Sequence, residues 1–346
     1  MFRSDAIDGD TWGQLRSTRW SPPPAAASDQ PRRKTYVSAL EQAEQLFRAS
    51  AAVGPATRPL LLFYGLSQAG RAIAAAAASA EEWELNGHGI SQKGTLRADL
   101  PDIRVTSTAE ATSSFVRLSE ILHSPLWGGA SLSLNALWDS LPENRLSPLR
   151  DDGTQRRTPL YVDHLCQHDE LHPLANAPVH FFPPHVVQSR RPGRALAKYL
   201  QSFPEATTHH SYLRVGPDLD ADPRFSPDAD GWGELIMNWK LPNGQAGDFS
   251  DRAQYLLSLT RPYAGSAYFF PALGSNRTSL HPLMSWWAVL HTLSMLARYH
   301  PAEWASHIDV DASSYAVPIE RLLKEAITTV PRLIIETIEQ VGGTSI

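Results

Sequence analysis

Apolar residues return at helical spacing from Tyr36 to Ala49. Tyr36, Leu40, Ala43 and Phe47 share one face, while Glu41, Glu44 and Gln45 fall on the other. This pattern predicts an amphipathic helix with one face in a core. Beyond Gly54-Pro55, Pro59 suits the first turn of a second helix. Its apolar residues go all the way round, from Leu60 to Tyr64 and again from Ala72 to Ala78. Such a helix must be covered on most sides, and its alanines permit close approach by neighbours. From Leu96 to Tyr268 the pattern shortens into runs broken by proline and glycine. The runs 103–106, 179–182, 211–215 and 234–240 predict strands, with helical pieces over 134–141 and 193–203. Leu283 to Arg298 is apolar on nearly every side and stops before Pro301. A last helix begins near Pro318 with Ile319, Leu322, Leu323, Ala326, Ile327 and Val330 on one face, and Pro331 is expected to kink or interrupt it.

These elements predict an α+β protein in which N- and C-terminal helices pack in one helical layer around a strand-rich middle region. Residues 1–34 read as an arm and linker because of Pro22-Pro23-Pro24-Ala25-Ala26-Ala27, with Arg32-Arg33-Lys34 as its solvated end. Residues 35–341 read as one domain, helical over 35–80 and 279–341, with a mixed insert over 96–270.

Composition narrows the function classes. The chain has 346 residues and a formal net charge of −5, which gives no global attraction to nucleic acid or anionic membrane. The single cysteine, Cys166, excludes an internal disulfide and a four-thiolate metal site, and fits a reducing compartment. Acids near the N-terminus and the interruption of the longest apolar segment by Gln68 and Arg71 argue against a signal peptide and a membrane span. A cytoplasmic protein is expected.

Two sets of segments carry a family resemblance. One runs from Arg58 to Ala72 (RPLLLFYGLSQAGRA), followed by Asn86-Gly87-His88-Gly89-Ile90; the other is Met284-Ser285-Trp286-Trp287 with Leu293 to Trp304, followed by Val330-Pro331-Arg332-Leu333-Ile334. Together they resemble the opening and closing of the YaaC-like family of bacterial proteins, bracketing residues 35 to 340. The resemblance implies a family whose chemistry is not established, so the site must be sought in the residues.

Three constellations could carry chemistry. Arg117 and His123 resemble the loose arginine–histidine spacing of the HEPN ribonucleases, where a guanidinium offsets phosphate charge while an imidazole transfers a proton. His164, His168 and His172 are spaced by four and on one helix would share a face able to reach a metal, although Pro173 intrudes and no structural metal is expected. Arg298, Tyr299 and His88 are the polar members of the family segments, and their convergence would suit a phosphate or carboxylate. Asn86-Gly87-His88-Gly89 matches neither a P-loop nor a dinucleotide fingerprint, and no cofactor is expected.

Each group also has a purely structural explanation. The sequence therefore favours a non-catalytic interaction or regulatory protein, with a protein partner or a second copy of itself as its contact. The alternative is a phosphate-handling enzyme acting on nucleotide or RNA, such as a HEPN-like effector of a toxin or antiviral defence system. A histidine-bound metal hydrolase is third.

Overall fold

The computed structural model describes residues 11–93, 99–108, 112–127, 130–150, 156–165, 174–207, 210–211, 223–241 and 248–343. Helices come first: α1 (Thr11–Trp20), α2 (Pro24–Ser28), α3 (Gln30–Ala51) and α4 (Arg58–Ala76). Then follow β1 (Ile90–Lys93), β2 (Arg104–Ser107), α5 (Ser114–Ile121), β3 (Leu132–Ser133) and α6 (Leu134–Asp139). The middle contains β4 (Leu160–Val162), β5 (Leu174–Phe182), α7 (Pro184–Val187), α8 (Pro192–Leu200), β6 (His210–Ser211) and β7 (Ser226–Pro227). It continues with β8 (Gly233–Lys240), α9 (Phe249–Leu259), β9 (Arg261–Tyr263) and β10 (Ser266–Phe269). The chain returns to helix with α10 (Pro282–Tyr299), α11 (Pro301–His307) and α12 (Ala316–Gly342).

These elements sort into two compact units. The first takes the chain up to Trp138, residues 146–150 and everything from His281 onward; the second takes 139–145 and 151–280. The mixed insert expected over 96–270 is thus divided, because β2, α5 and β3 belong to the helical unit.

The helical unit is organised by α4, which is buried along almost its whole length and packs against α3, α10 and α12. Small residues set the spacing. A Cβ on Gly65 would lie 2.8 Å from the Phe47 ring, and one on Gly70 would lie 2.6 Å from Trp287, so both must be glycine for α3 and α10 to approach. From α10, Trp286, Trp287, Leu290 and Leu293 are fully buried, and the Trp287 ring meets Phe63 edge-on at 6.1 Å. Helices from both ends of the chain therefore share one core. The small antiparallel sheet β1-β2-β3 is tied to α10 by Gln92, whose side-chain amide donates to the Thr292 carbonyl at 2.8 Å.

Two expectations are corrected here. Residues 11–34 are not a linker but helical, with Leu15 buried and the Tyr36 hydroxyl donating to Thr18 Oγ1 at 2.6 Å. Pro24 sits in the first turn of α2, the position where proline favours a helix. Arg32 is not solvated: it donates to the carbonyls of Ala77, at 2.9 Å, and of Ala80, supplying donors just beyond the C-terminal end of α4. Nor does Pro331 interrupt the last helix. α12 runs unbroken through it with Val330, Pro331 and Ile334 buried, and the burial of that stripe outweighs a proline cost of about 3 kcal/mol.

In the second unit a sheet of seven described strands has the order β6-β8-β5-β4-β10-β9, with β7 on β8, all pairs antiparallel. One face is the core side, where Leu160, Val162, Ala177, Val179, Leu235, Met237, Trp239, Ala267 and Phe269 meet α8 and α9. Alternation sends Tyr161, Glu234, Ser266 and Tyr268 to the other face. Of the strand expected over 211–215 only Ser211 is described, paired with Asn238; residues 212–215 lie outside the described residues. Among the described residues no helix is long and apolar enough to cross a membrane.

Because Leu293 is fully buried in the core shared by α4 and α10, Leu293→Ala should cost about 2–5 kcal/mol. Denaturant melting with an unchanged midpoint would refute that shared core.

Candidate functional site

The three polar residues of the family segments fall in the helical unit as two linked groups. The Arg298 guanidinium donates to the Tyr64 hydroxyl at 2.6 Å and lies 5.0 Å from the Tyr299 ring. His88 lies 6.0 Å from the Phe63 ring and 6.2 Å from the His291 ring. Phe63 and Tyr64 are consecutive on α4, so they join the groups, while no direct contact between Arg298 and His88 occurs among the described contacts. Gly87 and Gly89 have φ of 55° and 74°, and a Cβ on Gly89 would collide with Ser113. The turn docks on the start of α5: the carbonyls of Asn86 and His88 accept from the amides of Ser114 at 2.9 Å and Phe115 at 3.0 Å.

Sequence reasoning missed His291 in this cluster. It is 3% exposed, meets Phe63 edge-on at 5.1 Å, and its Nδ1 has no hydrogen-bond partner among the described residues, nor has Trp287 Nε1. Burial first, then the neighbouring His88, lowers its pKa to about 3, so the ring is neutral at ordinary pH. The signal was present: a histidine on a helix apolar on nearly every side has nowhere to go but the core.

The other two sets fare differently. Arg117 is ion-paired with Glu82 at 2.6 Å and with Glu120 at 3.7 Å. His123 lies beyond the end of α5 with φ of 50°, so the two do not share the helix that the ribonuclease spacing needs. Of the histidine triple, His164 stands in a turn, and His168 and His172 lie outside the described residues, as does Cys166. Among the described residues no group of three or more histidine, cysteine or acidic side chains could hold a metal ion.

The second unit carries a cleft of about 320 Å³ that the sequence did not indicate. Its construction starts with a β-bulge. The register of β5 against β8 shifts between His180 and Phe182, and the extra residue, Phe181, takes φ of 75°. Phe182 thereby stays in the core while Phe181 lines the cleft. A backbone strained in this way is held by its surroundings. The guanidinium of Arg145 lies 4.2 Å from the Phe181 ring and 5.1 Å from that of Trp232.

Arg145 comes from the segment 139–145, which Arg156 fastens from below. Arg156 donates to Asp139 Oδ1 at 2.8 Å and to the carbonyls of Arg145 and Asn144 at 2.8 and 2.7 Å. The same segment supplies Glu143, whose carboxylate accepts from the Tyr263 hydroxyl at 2.6 Å. Ser266 and Tyr268 of β10 complete the wall. Burial, then the Glu143 carboxylate and Tyr161, push the Tyr268 phenol well above its ordinary range. It remains a protonated donor at neutral pH, and no hydrogen bond engages its hydroxyl among the described residues. Aromatic walls, a stacked cation, a carboxylate and a phenol in one concavity suit a planar molecule with polar edges.

A protein-family model described as YaaC-like Protein matches residues 14–338. No curated protein and no solved structure matches the chain.

Two outcomes follow from the geometry. His291 has a folded pKa of about 3 against an ordinary 6.5, so across that window the unfolded chain binds a proton that the folded chain refuses. The associated stability is complete above 6.5 and declines as pH falls, by at most about 1.4 kcal/mol per unit. His291→Gln should flatten the decline of unfolding free energy between roughly pH 6.5 and 4.5; an unaltered slope would contradict the burial. Separately, Ala264 and Gly265 form the β9–β10 turn with φ of 49° and 81°. Ala264→Gly should raise stability by up to about 1 kcal/mol, since only the alanine is strained there. A lowered melting midpoint would speak against it.

Proposed function

The chain belongs to the YaaC-like family, and we propose that it is a non-catalytic regulatory protein that binds a planar small molecule in the cleft of its second unit. The observation that carries this reading is the segment 139–145. It supplies Glu143 and Arg145 to the cleft, and it is flanked on both sides by residues of the helical unit, Trp138 before it and 146–150 after it. A ligand that stacks on Tyr268 and engages Glu143 acts on a piece of chain covalently joined at both ends to the other unit. That is the connectivity of a sensor element, and a small shift there has a route along the backbone.

The cleft volume of about 320 Å³ falls in the range of small-molecule sites, roughly 300–1,000 Å³. The signal passes to a protein partner or to a second copy of the chain. A phosphate-handling enzyme is the rival, and the pairing of Arg117 with Glu82 and Glu120 weighs against the version built on Arg117 and His123.

Ligand-observed NMR with guanosine, adenosine, nicotinamide and tryptophan as probes tests the reading. At least one probe should bind saturably to the wild type, be recovered chemically unchanged, and lose binding in Ser266→Trp, whose indole would occupy the cleft. Tyr268→Phe should weaken it by about 1 kcal/mol, the worth of one hydrogen bond. Binding indifferent to Ser266→Trp in a folded variant would sink the cleft, and turnover of the probe would move the protein to the enzyme class.

A further inference from the structure

A second concavity, on the side of the sheet where α8 packs, has a different chemistry. It measures about 140 Å³ and is lined by Arg157, His185, Ser189, Ala195, Lys198 and Tyr199, with no carboxylate among them. Ala195, Lys198 and Tyr199 share one face of α8 by their spacing, and Arg157 reaches in from the residue after Arg156. The Tyr199 hydroxyl donates to the Thr158 carbonyl at 3.2 Å, so the tyrosine is fixed in place as a wall of the pocket.

Among the described residues no ion pair compensates the charge here. Residues 171–204 contain no aspartate or glutamate but include Arg190, Arg191, Arg194 and Lys198. Neither these four cations nor Arg157 makes an ion pair among the described residues. A chain of net charge −5 has ample acid with which to neutralise them, yet none is paired among the described residues; Arg157 and Lys198 line the pocket, and Arg190, Arg191 and Arg194 are exposed nearby in the sequence. The accumulation is felt locally: burial first, then Arg157 and Lys198, depress the protonation of His185.

Two unpaired cations on one concavity, Arg157 and Lys198, repel each other. An anion offsets that repulsion. The guanidinium of Arg157 offers a planar fork, the Lys198 ammonium a mobile point charge, and Ser189 a hydroxyl, which together match the oxygens of a phosphate. At about 140 Å³ the pocket is smaller than a drug-sized site and takes a single charged group.

We propose that this pocket binds a phosphate group, either free inorganic phosphate or the terminal group of a small phosphorylated metabolite. The site is independent of the aromatic cleft and would stand if that reading failed.

Isothermal titration at constant ionic strength, with inorganic phosphate and ribose 5-phosphate as separate probes, decides it. At least one should bind saturably to the wild type, and the tighter of the two identifies the source. The double variant Arg157→Gln/Lys198→Gln should weaken binding at least about tenfold, since each substitution removes a charge-assisted hydrogen bond. Arg33→Gln, an exposed cation on α3, should leave it unchanged. Melting midpoints establish that the variants are folded, and Lys198→Gln alone serves if the double variant is not. Absence of saturable binding of both probes, equal binding by the folded variant, or equal displacement by chloride would overturn the proposal. Tighter binding of a single-stranded oligonucleotide through the same two residues would overturn it as well, in favour of a nucleic-acid surface.

Discussion

A helix that is apolar over most of its surface must be wrapped, and most of the helical unit is the wrapping of α4. From Leu62 to Ala76 only the stripe of Tyr64, Ser67, Gln68 and Arg71 stays partly open, so α3, α10 and α12 are recruited from both ends of the chain to cover the rest. The covering is close because Gly65 and Gly70 admit the rings of Phe47 and Trp287. Even the end of the helix is treated this way, since Arg32 reaches from α3 to the carbonyls that follow it. The apolar wrapping also traps polar atoms. His291 is neutral because nothing around it can solvate a charge.

The second unit solves a different problem, that of a sheet with one face in its core and another left for chemistry. A single inserted residue in β5 lets the strand keep Phe182 inside while presenting Phe181 outside, where it meets Arg145. The segment that brings Arg145 is held by three hydrogen bonds from one half-buried arginine, Arg156. Cations are thus used in two ways within two residues of chain: Arg156 is spent entirely on structure, and Arg157 on an open pocket.

Periodicity made the fold largely readable. The helices over 36–49, 60–78 and 283–298 and the strands near 103–106, 179–182 and 234–240 have strong repeats, and each is present as α3, α4, α10, β2, β5 and β8. Residues 11–34 escaped because a proline triplet reads as a break, whereas Pro24 in fact opens α2. The cleft could not be read at all. Its residues come from 142–145, 181 and 263–268, and the bulge at Phe181 destroys the alternation that would have revealed the outer face. The cationic pocket was hidden for a related reason, since Arg157, His185 and Lys198 form no run. The freedom of 171–204 from acids was the legible trace.

The wrapping of α4 also fixes the order in which the protein can mature on a ribosome. Arg298 and Tyr64, which bond at 2.6 Å, are 234 residues apart, and no shorter stretch of nascent chain can close that contact. Every residue of the sheet unit is made before His281 appears, so that unit can complete its core while the faces of α4 that α10 and α12 will cover still wait in water. The helical unit therefore closes last although it begins first. During synthesis its Leu- and Ala-rich helix is the surface that a chaperone would have to shield.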